Sequence, residues 1–216
     1  MKIKNVGFIG LGAMGSVMAP LIVQAGYNVF GYDIHTKIDK SSGIKQVSNI
    51  REFNNLDVII FMLPNGKIVA DVTDELLKNN TKSILIDMSS SDPRDTKKLG
   101  KKLKVRDIKF LDAPVSGGVS RAKIGELMIM AGGDEDHVKI VKELLCVMGK
   151  VQFAGTMGSG HAIKALNNYV SAAGLIASFE ALATARSFGV KPDNFLKIIN
   201  GATGKNNTTE VKLDKF

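Results

Sequence analysis

Between Val6 and Phe153 short apolar runs alternate with longer amphipathic stretches: "VGFI" at 6–9, "NVFGY" at 28–32, "DVIIF" at 57–61, "SILID" at 83–87 and "KFLDA" at 109–113. Runs this short and this rich in Val, Ile and Phe predict buried strands, and the periodic stretches between them predict helices. Such alternation predicts βαβ units feeding a mostly parallel sheet in an α/β fold. Gly26 sits where the first helix should stop. Pro93, after the capping cluster "SSSD", sits where a later helix should start.

Beyond Gly132 the pattern changes. Asp134 reads as the N-cap of a helix with apolar Val138, Val141, Leu144, Leu145 and Met148, followed by a last short strand, "VQF". From Gly158 to Phe188 comes one long helical stretch dense in Ala and Leu, with Gly189 as its C-cap. We therefore expect a first domain over residues 1–156 and a second over 157–216. A short helix, Asn194 to Asn200, precedes "GATGKNNTTEVKLDKF", a polar stretch expected to have no core of its own. No internal repeat appears, which excludes the solenoid classes.

Composition narrows the function classes. With 216 residues and 44% hydrophobic side chains, the chain can bury a substantial core. The single Cys146 permits no internal disulfide, and no charged segment followed by an apolar run opens the sequence, so a cytoplasmic protein is expected. No apolar run reaches the roughly 18 residues of a membrane span. The net charge of +8 is compatible with nucleic acid, an acidic surface or anionic substrates. Much of it lies in "KKLGKKLKVRDIK", 97–109, where lysines alternate with Leu99, Leu103 and Val105 as on a solvated helix face. There is no paired Cys/His spacing and no aromatic set among the basic residues, so neither a metal site nor a nucleic-acid partner is expected.

The first predicted strand runs directly into "GLGAMG", Gly10-Leu11-Gly12-Ala13-Met14-Gly15, and then into an apolar helix. In this spacing Gly10 permits the tight turn, Gly12 leaves room for a pyrophosphate, and Gly15 lets the helix pack close to the strand. The motif stands in the context that gives it meaning, after a strand and at a helix start, so a Rossmann-type, doubly wound sheet binding a dinucleotide is expected. Asp33 closes the second strand, 18 residues after Gly15, where a carboxylate accepts hydrogen bonds from the adenosine ribose and repels a 2′-phosphate. NAD is therefore expected, with NADP as the alternative because His35 and Lys37 stand nearby. The alternative reading is an Asp that begins the turn "DIHTK". At the carboxyl ends of later strands, Leu63, Pro64 and Ser90 are candidates to line the cofactor's far half, although Ser90 alone reads as well as a helix cap.

Two further stretches carry candidate chemistry. "DAPVSGGVSRAKIGEL" places Ser116, Gly117 and Gly118 in a row, where backbone N–H groups and a hydroxyl could hold a carboxylate; an ordinary Gly-Gly loop would read the same. "GSGHAIKALNNYV" places Gly160, Lys164 and Asn168 on one helix face, and the next charged residue after Lys164 is Glu180. So charge-poor a helix is expected to be largely buried. A buried ammonium is costly unless it meets an anion or loses its proton.

"GFIGLGAMG", "DAPVSGG" with "ELMIMAGG", and "GHAIKALNN" resemble, in order and spacing, the three signature blocks of the β-hydroxyacid dehydrogenases. That family, related to 6-phosphogluconate dehydrogenase, includes 3-hydroxyisobutyrate dehydrogenase and tartronate semialdehyde reductase. The resemblance implies that Lys164 is the catalytic acid/base, that Ser116, Gly117 and Gly118 grip the substrate carboxylate, and that Asn168 positions the substrate. The first block, with Leu63, Pro64 and Ser90, would hold NAD(P). The implied partner is a small anionic hydroxy or oxo acid, with neither nucleic acid nor membrane, in a homo-oligomer, a dimer or tetramer. Members continue past this point with several more helices, so residues 157–216 read as the start of an all-helical domain. An imine reductase on the same scaffold, which usually lacks the lysine, and a non-catalytic dinucleotide-binding protein are the alternatives.

Overall fold

The structure, a computed structural model, describes residues 2–53 and 55–213. The chain opens β1 (Asn5–Ile9), α1 (Gly15–Gln24), β2 (Asn28–Tyr32), β3 (Lys45–Gln46), β4 (Val58–Phe61), α2 (Gly66–Lys78), β5 (Ile84–Asp87) and α3 (Pro93–Lys104). It continues β6 (Phe110–Asp112), β7 (Val115–Ser116), α4 (Gly118–Lys123), β8 (Leu127–Gly132), α5 (Glu135–Cys146) and β9 (Gly149–Gly155). It closes with α6 (Ser159–Ser187), α7 (Pro192–Asn200) and α8 (Asn207–Val211). Each apolar run named above is a strand, and the predicted caps act: Asp92 and Asp134 accept N–H bonds at the starts of α3 and α5, and Gly26 and Gly189 take positive φ after α1 and α6.

Among the described residues one sheet runs in the order β3-β2-β1-β4-β5-β6-β8-β7, with β9 on β8. It is parallel from β3 to β6, and β8 runs antiparallel to β6 and β7. From β1 the chain steps outward to β2 and β3 and then returns to the other side of β1 for β4. The strand order therefore reverses between β1 and β4, and the crevice beyond their carboxyl ends is where such sheets bind ligands.

Strand residues alternate between two faces, and both are covered. Val58 and Ile60 of β4 join one core with Met18 and Ile22 of α1 and Val141 and Leu144 of α5. Ile59 and Phe61 join the other with Leu76 of α2 and Leu103 of α3. Burial on both faces is why these strands read as continuous apolar runs rather than alternating ones. Each fully buried Ile or Phe contributes about 1.5–3 kcal/mol.

Two expectations are corrected at the C-terminal end. The helix from Gly158 is formed, as α6, but it is not largely buried: Leu166 is 58% exposed, Tyr169 70% and Val170 67%. An Ala- and Leu-rich helix satisfies its own backbone and forms by propensity, so scarcity of charge does not guarantee a covering layer. The polar stretch after Asn200 does have packed residues. Asn206 caps α8 in a capping box and bonds the Ser178 hydroxyl, and Thr208, Thr209 and Leu213 are buried. Residues 214–216 lie outside the described residues. By contacts the chain forms two compact units, 1–164 and 165–216.

Candidate active site

The "GLGAMG" loop lies at the reversal of strand order, and its glycines are required for different reasons. A Cβ on Gly10, whose φ is +97°, would fall 2.2 Å from the Met62 carbonyl oxygen at the end of β4. A Cβ on Gly15 would fall 1.9 Å from the Gly10 oxygen, because α1 starts against the turn. A Cβ on Gly12 would meet nothing within 4 Å. The fold itself demands Gly10 and Gly15, whereas the space in front of Gly12 is open to a ligand. Gly12 and Ala13 are exposed, Leu11 is buried, and Met14 is half-buried. The first turn of α1 has no side-chain cap and no acidic residue, so no anion of the helix itself offsets the positive end of its dipole. These residues fit the pyrophosphate of a dinucleotide.

Asp33 stands beside the loop. One carboxylate oxygen accepts the Leu11 N–H at 2.7 Å, and the other accepts those of His35 and Thr36 at 2.8 and 2.7 Å. Burial raises its pKa, but these backbone bonds outweigh it and hold the carboxyl below its ordinary value. The side chain thus starts the turn after β2 and ties it to the glycine loop. Leu63 lies against Gly10, and its N–H is accepted by the Ser89 hydroxyl at 2.9 Å. Pro64 and Ser90 are exposed. The cap of α3 is Asp92, so Ser90 is not a helix cap.

The second block is not a plain loop. Ser116 ends β7, and Gly117 (φ +143°) and Gly118 (φ +68°) turn the chain into α4, which starts with no side-chain cap. In the third block Lys164 lies in the second turn of α6 and is half-buried, and Asn168, one turn further on, is exposed. Burial lowers the Lys164 pKa from its ordinary value. Gly160, one turn before the lysine, is buried against the sheet end: its Cβ would stand 2.2 Å from the Met130 oxygen. The basic 97–109 segment lies apart, its Lys97, Lys101, Lys104 and Lys109 lining a cleft of about 550 Å³ that none of the site residues lines.

Sequence reasoning missed a buried polar cluster where α6 begins. Asp87 and Asp112 end β5 and β6 and are register partners, and both are buried with His161, Ser89 and Thr96. The Asp112 carboxylate accepts the N–H groups of Gly158 and His161 at 2.8 and 2.9 Å, capping α6 from across the sheet end. The signal was present: two apolar strands, "ILID" and "FLD", each end on a carboxylate.

Comparison with known proteins agrees with this geometry. The family described as the NAD binding domain of 6-phosphogluconate dehydrogenase matches residues 5–168. The family described as NAD-binding of NADP-dependent 3-hydroxyisobutyrate dehydrogenase matches residues 158–216. The mitochondrial 3-hydroxyisobutyrate dehydrogenase of Drosophila melanogaster is 36% identical over 96% of this chain and 66% of its own length. The 2-(hydroxymethyl)glutarate dehydrogenase of Eubacterium barkeri is 33% identical over 100% of this chain and 74% of its own. The chain thus spans about two thirds of the length of curated relatives it matches. Among solved structures, the 3-hydroxyisobutyrate dehydrogenase of Mycobacterium tuberculosis with L-serine superposes with a TM-score of 0.91 at 31% identity, covering 98% of this chain and 74% of that one. An imine reductase from Myxococcus stipitatus, at 18% identity and a TM-score of 0.84, shares the fold. With three motif blocks in order, a doubly wound sheet and these matches, the chain belongs to the β-hydroxyacid dehydrogenase family and carries its nicotinamide-dinucleotide-binding domain.

Proposed function

We propose that this protein is an NAD(P)-dependent dehydrogenase of a short 3-hydroxy acid, of the 3-hydroxyisobutyrate or tartronate semialdehyde type, in which Lys164 exchanges a proton with the substrate oxygen. The observation that carries the reading is Lys164 itself: a half-buried lysine with its pKa lowered by burial, in the third of three ordered blocks. When bound, the nicotinamide takes or gives the hydride. The chain's own residues must do the rest. Oxidation requires a base at the alcohol, and an ordinary lysine, with a pKa of about 10.4, is a poor base near neutral pH. Burial increases the share of free amine, and in the reverse direction the ammonium protonates the developing alkoxide.

Ser116 and the backbone of Gly117 and Gly118 would hold the substrate carboxylate, and Asn168 would orient the hydroxyl. Asp33 supports NAD over NADP, since a carboxylate kept ionised beside the glycine loop repels a 2′-phosphate. Exposed Leu166, Tyr169 and Val170 of α6 support a homo-oligomer. No helix among the described residues is long and apolar enough to cross a membrane. A cytoplasmic location is read from the sequence, and cell fractionation checks it.

The test is a fluorescence titration with NADH and NADPH, followed by turnover with 3-hydroxyisobutyrate and tartronate semialdehyde. Lys164→Ala should keep NADH binding and lower kcat by about a thousandfold. Turnover within about tenfold of the parent would rule out the proton-exchange role.

A further inference from the structure

The three candidate blocks leave unexplained why a histidine is sealed under the sheet end, three residues before Lys164. His161 is 1% exposed and makes contacts on both ring nitrogens. Nε2 stands 3.1 Å from the Ser89 carbonyl oxygen, which can only accept, so this nitrogen carries a proton and donates it. Nδ1 stands 2.8 Å from the Thr96 hydroxyl of α3. The carboxylates of Asp87 and Asp112 lie 3.7 Å from Nε2 and 3.8 Å from Nδ1. The His161 backbone N–H is itself one of the two held by Asp112. One residue therefore joins the first turn of α6 to the ends of β5 and β6 and to α3.

The surroundings leave that turn little room. A Cβ on Gly160 would stand 2.9 Å from an Asp112 carboxylate oxygen, and one on Gly132 would stand 2.8 Å from the Gly160 nitrogen. Because α6 is a continuous helix from Ser159, Lys164 is carried rigidly by this anchored turn. Residues three apart lie on neighbouring positions of the helix surface. A shift or tilt at His161 is therefore passed to Lys164.

We propose that His161 is a positioning residue: its ring, locked between Ser89 and Thr96, sets the seating of α6 and through it the burial of the Lys164 amine. The proposal rests on the reading of Lys164 as the proton-exchanging residue for its functional meaning. Its test does not require turnover.

The measurement is the rate of Lys164 acetylation by a trace amine-reactive anhydride across a pH series, read by peptide mass spectrometry on the full chain. NADH binding serves as the check that the fold is kept. His161→Leu fills the space and removes both ring contacts. At the high-pH limit, where the amine is free, Lys164 should then acetylate at least about threefold faster, and its profile should lie at least about half a pH unit nearer the ordinary lysine value, since its desolvation is relieved. His161→Gln, which can still donate to Ser89, should recover much of the parent profile. Thr96→Val removes the Nδ1 partner, together with the Thr96 hydroxyl contact to the Asp92 carbonyl, and should fall between. If His161→Leu loses its fold, the comparison of His161→Gln and Thr96→Val with the parent decides. A Lys164 profile unmoved in every folded variant would overturn the proposal. An inactive parent chain with a shifted profile would count against the assigned reaction and leave the positioning role in place.

Discussion

The glycine loop offers a clean separation between what the fold needs and what a ligand needs. In Gly15→Ala the added carbon would stand 1.9 Å from the Gly10 oxygen, well inside ordinary contact, so α1 must recede from β1. Overpacking of this kind costs about 1–3 kcal/mol. Gly10→Ala combines a 2.2 Å clash with a φ of +97°, adding backbone strain of about 1–3 kcal/mol, for about 2–6 kcal/mol in all. Either loss is a large share of a domain stability of about 5–15 kcal/mol. Gly12→Ala meets no atom within 4 Å, so its stability should stay within about 0.5 kcal/mol of the parent. It would nevertheless hold a pyrophosphate away from the backbone, and NADH affinity should fall by at least about tenfold, about 1.4 kcal/mol. Urea unfolding followed by circular dichroism and NADH fluorescence titration read the two quantities separately. A Gly12→Ala protein that binds NADH as the parent does would refute the loop as the pyrophosphate site. One as unstable as Gly15→Ala would refute the assignment of the open space.

Asp112→Ala removes the acceptor of two buried N–H groups at the start of α6, at about 1–3 kcal/mol each; a loss below about 1 kcal/mol in urea unfolding would show that this cap is not needed. Asp112→Asn should lose less, since its amide oxygen keeps one of the two bonds. Asp33→Asn, chosen because it can still accept from the Leu11 N–H, should narrow the preference for NADH over NADPH by about tenfold; an unchanged ratio of dissociation constants would assign ribose recognition elsewhere. For Lys164 the folded pKa is depressed, so the unfolded chain binds the proton more readily and stability rises with pH towards the ordinary lysine value of 10.5. Lys164→Met should flatten that rise and stabilise the protein near neutral pH, and parallel melting-temperature curves from pH 7 to 10 would contradict it.

Much of this molecule is set by local pattern. A strand buried on both faces must be apolar throughout, so β1, β2, β4, β5 and β6 stand out as short Val-, Ile- and Phe-rich runs. Helix ends need particular caps, so Asp92, Pro93, Asp134 and Gly189 mark them. The dinucleotide loop is legible because a tight turn, an open approach and close helix packing together require glycine at three fixed positions. Tertiary structure decided what depends on residues far apart in the chain. β8 runs antiparallel to β6, a choice made by pairing partners and invisible in "LMIMAG". Whether α6 is covered depends on neighbours that its own sequence does not record. Asp112 caps a helix 46 residues away, and His161, Thr96 and Ser89 meet only because β5, β6, α3 and α6 converge at one end of the sheet. Polar groups buried in this way are held by partners distant in sequence, and periodicity carries no record of such pairings.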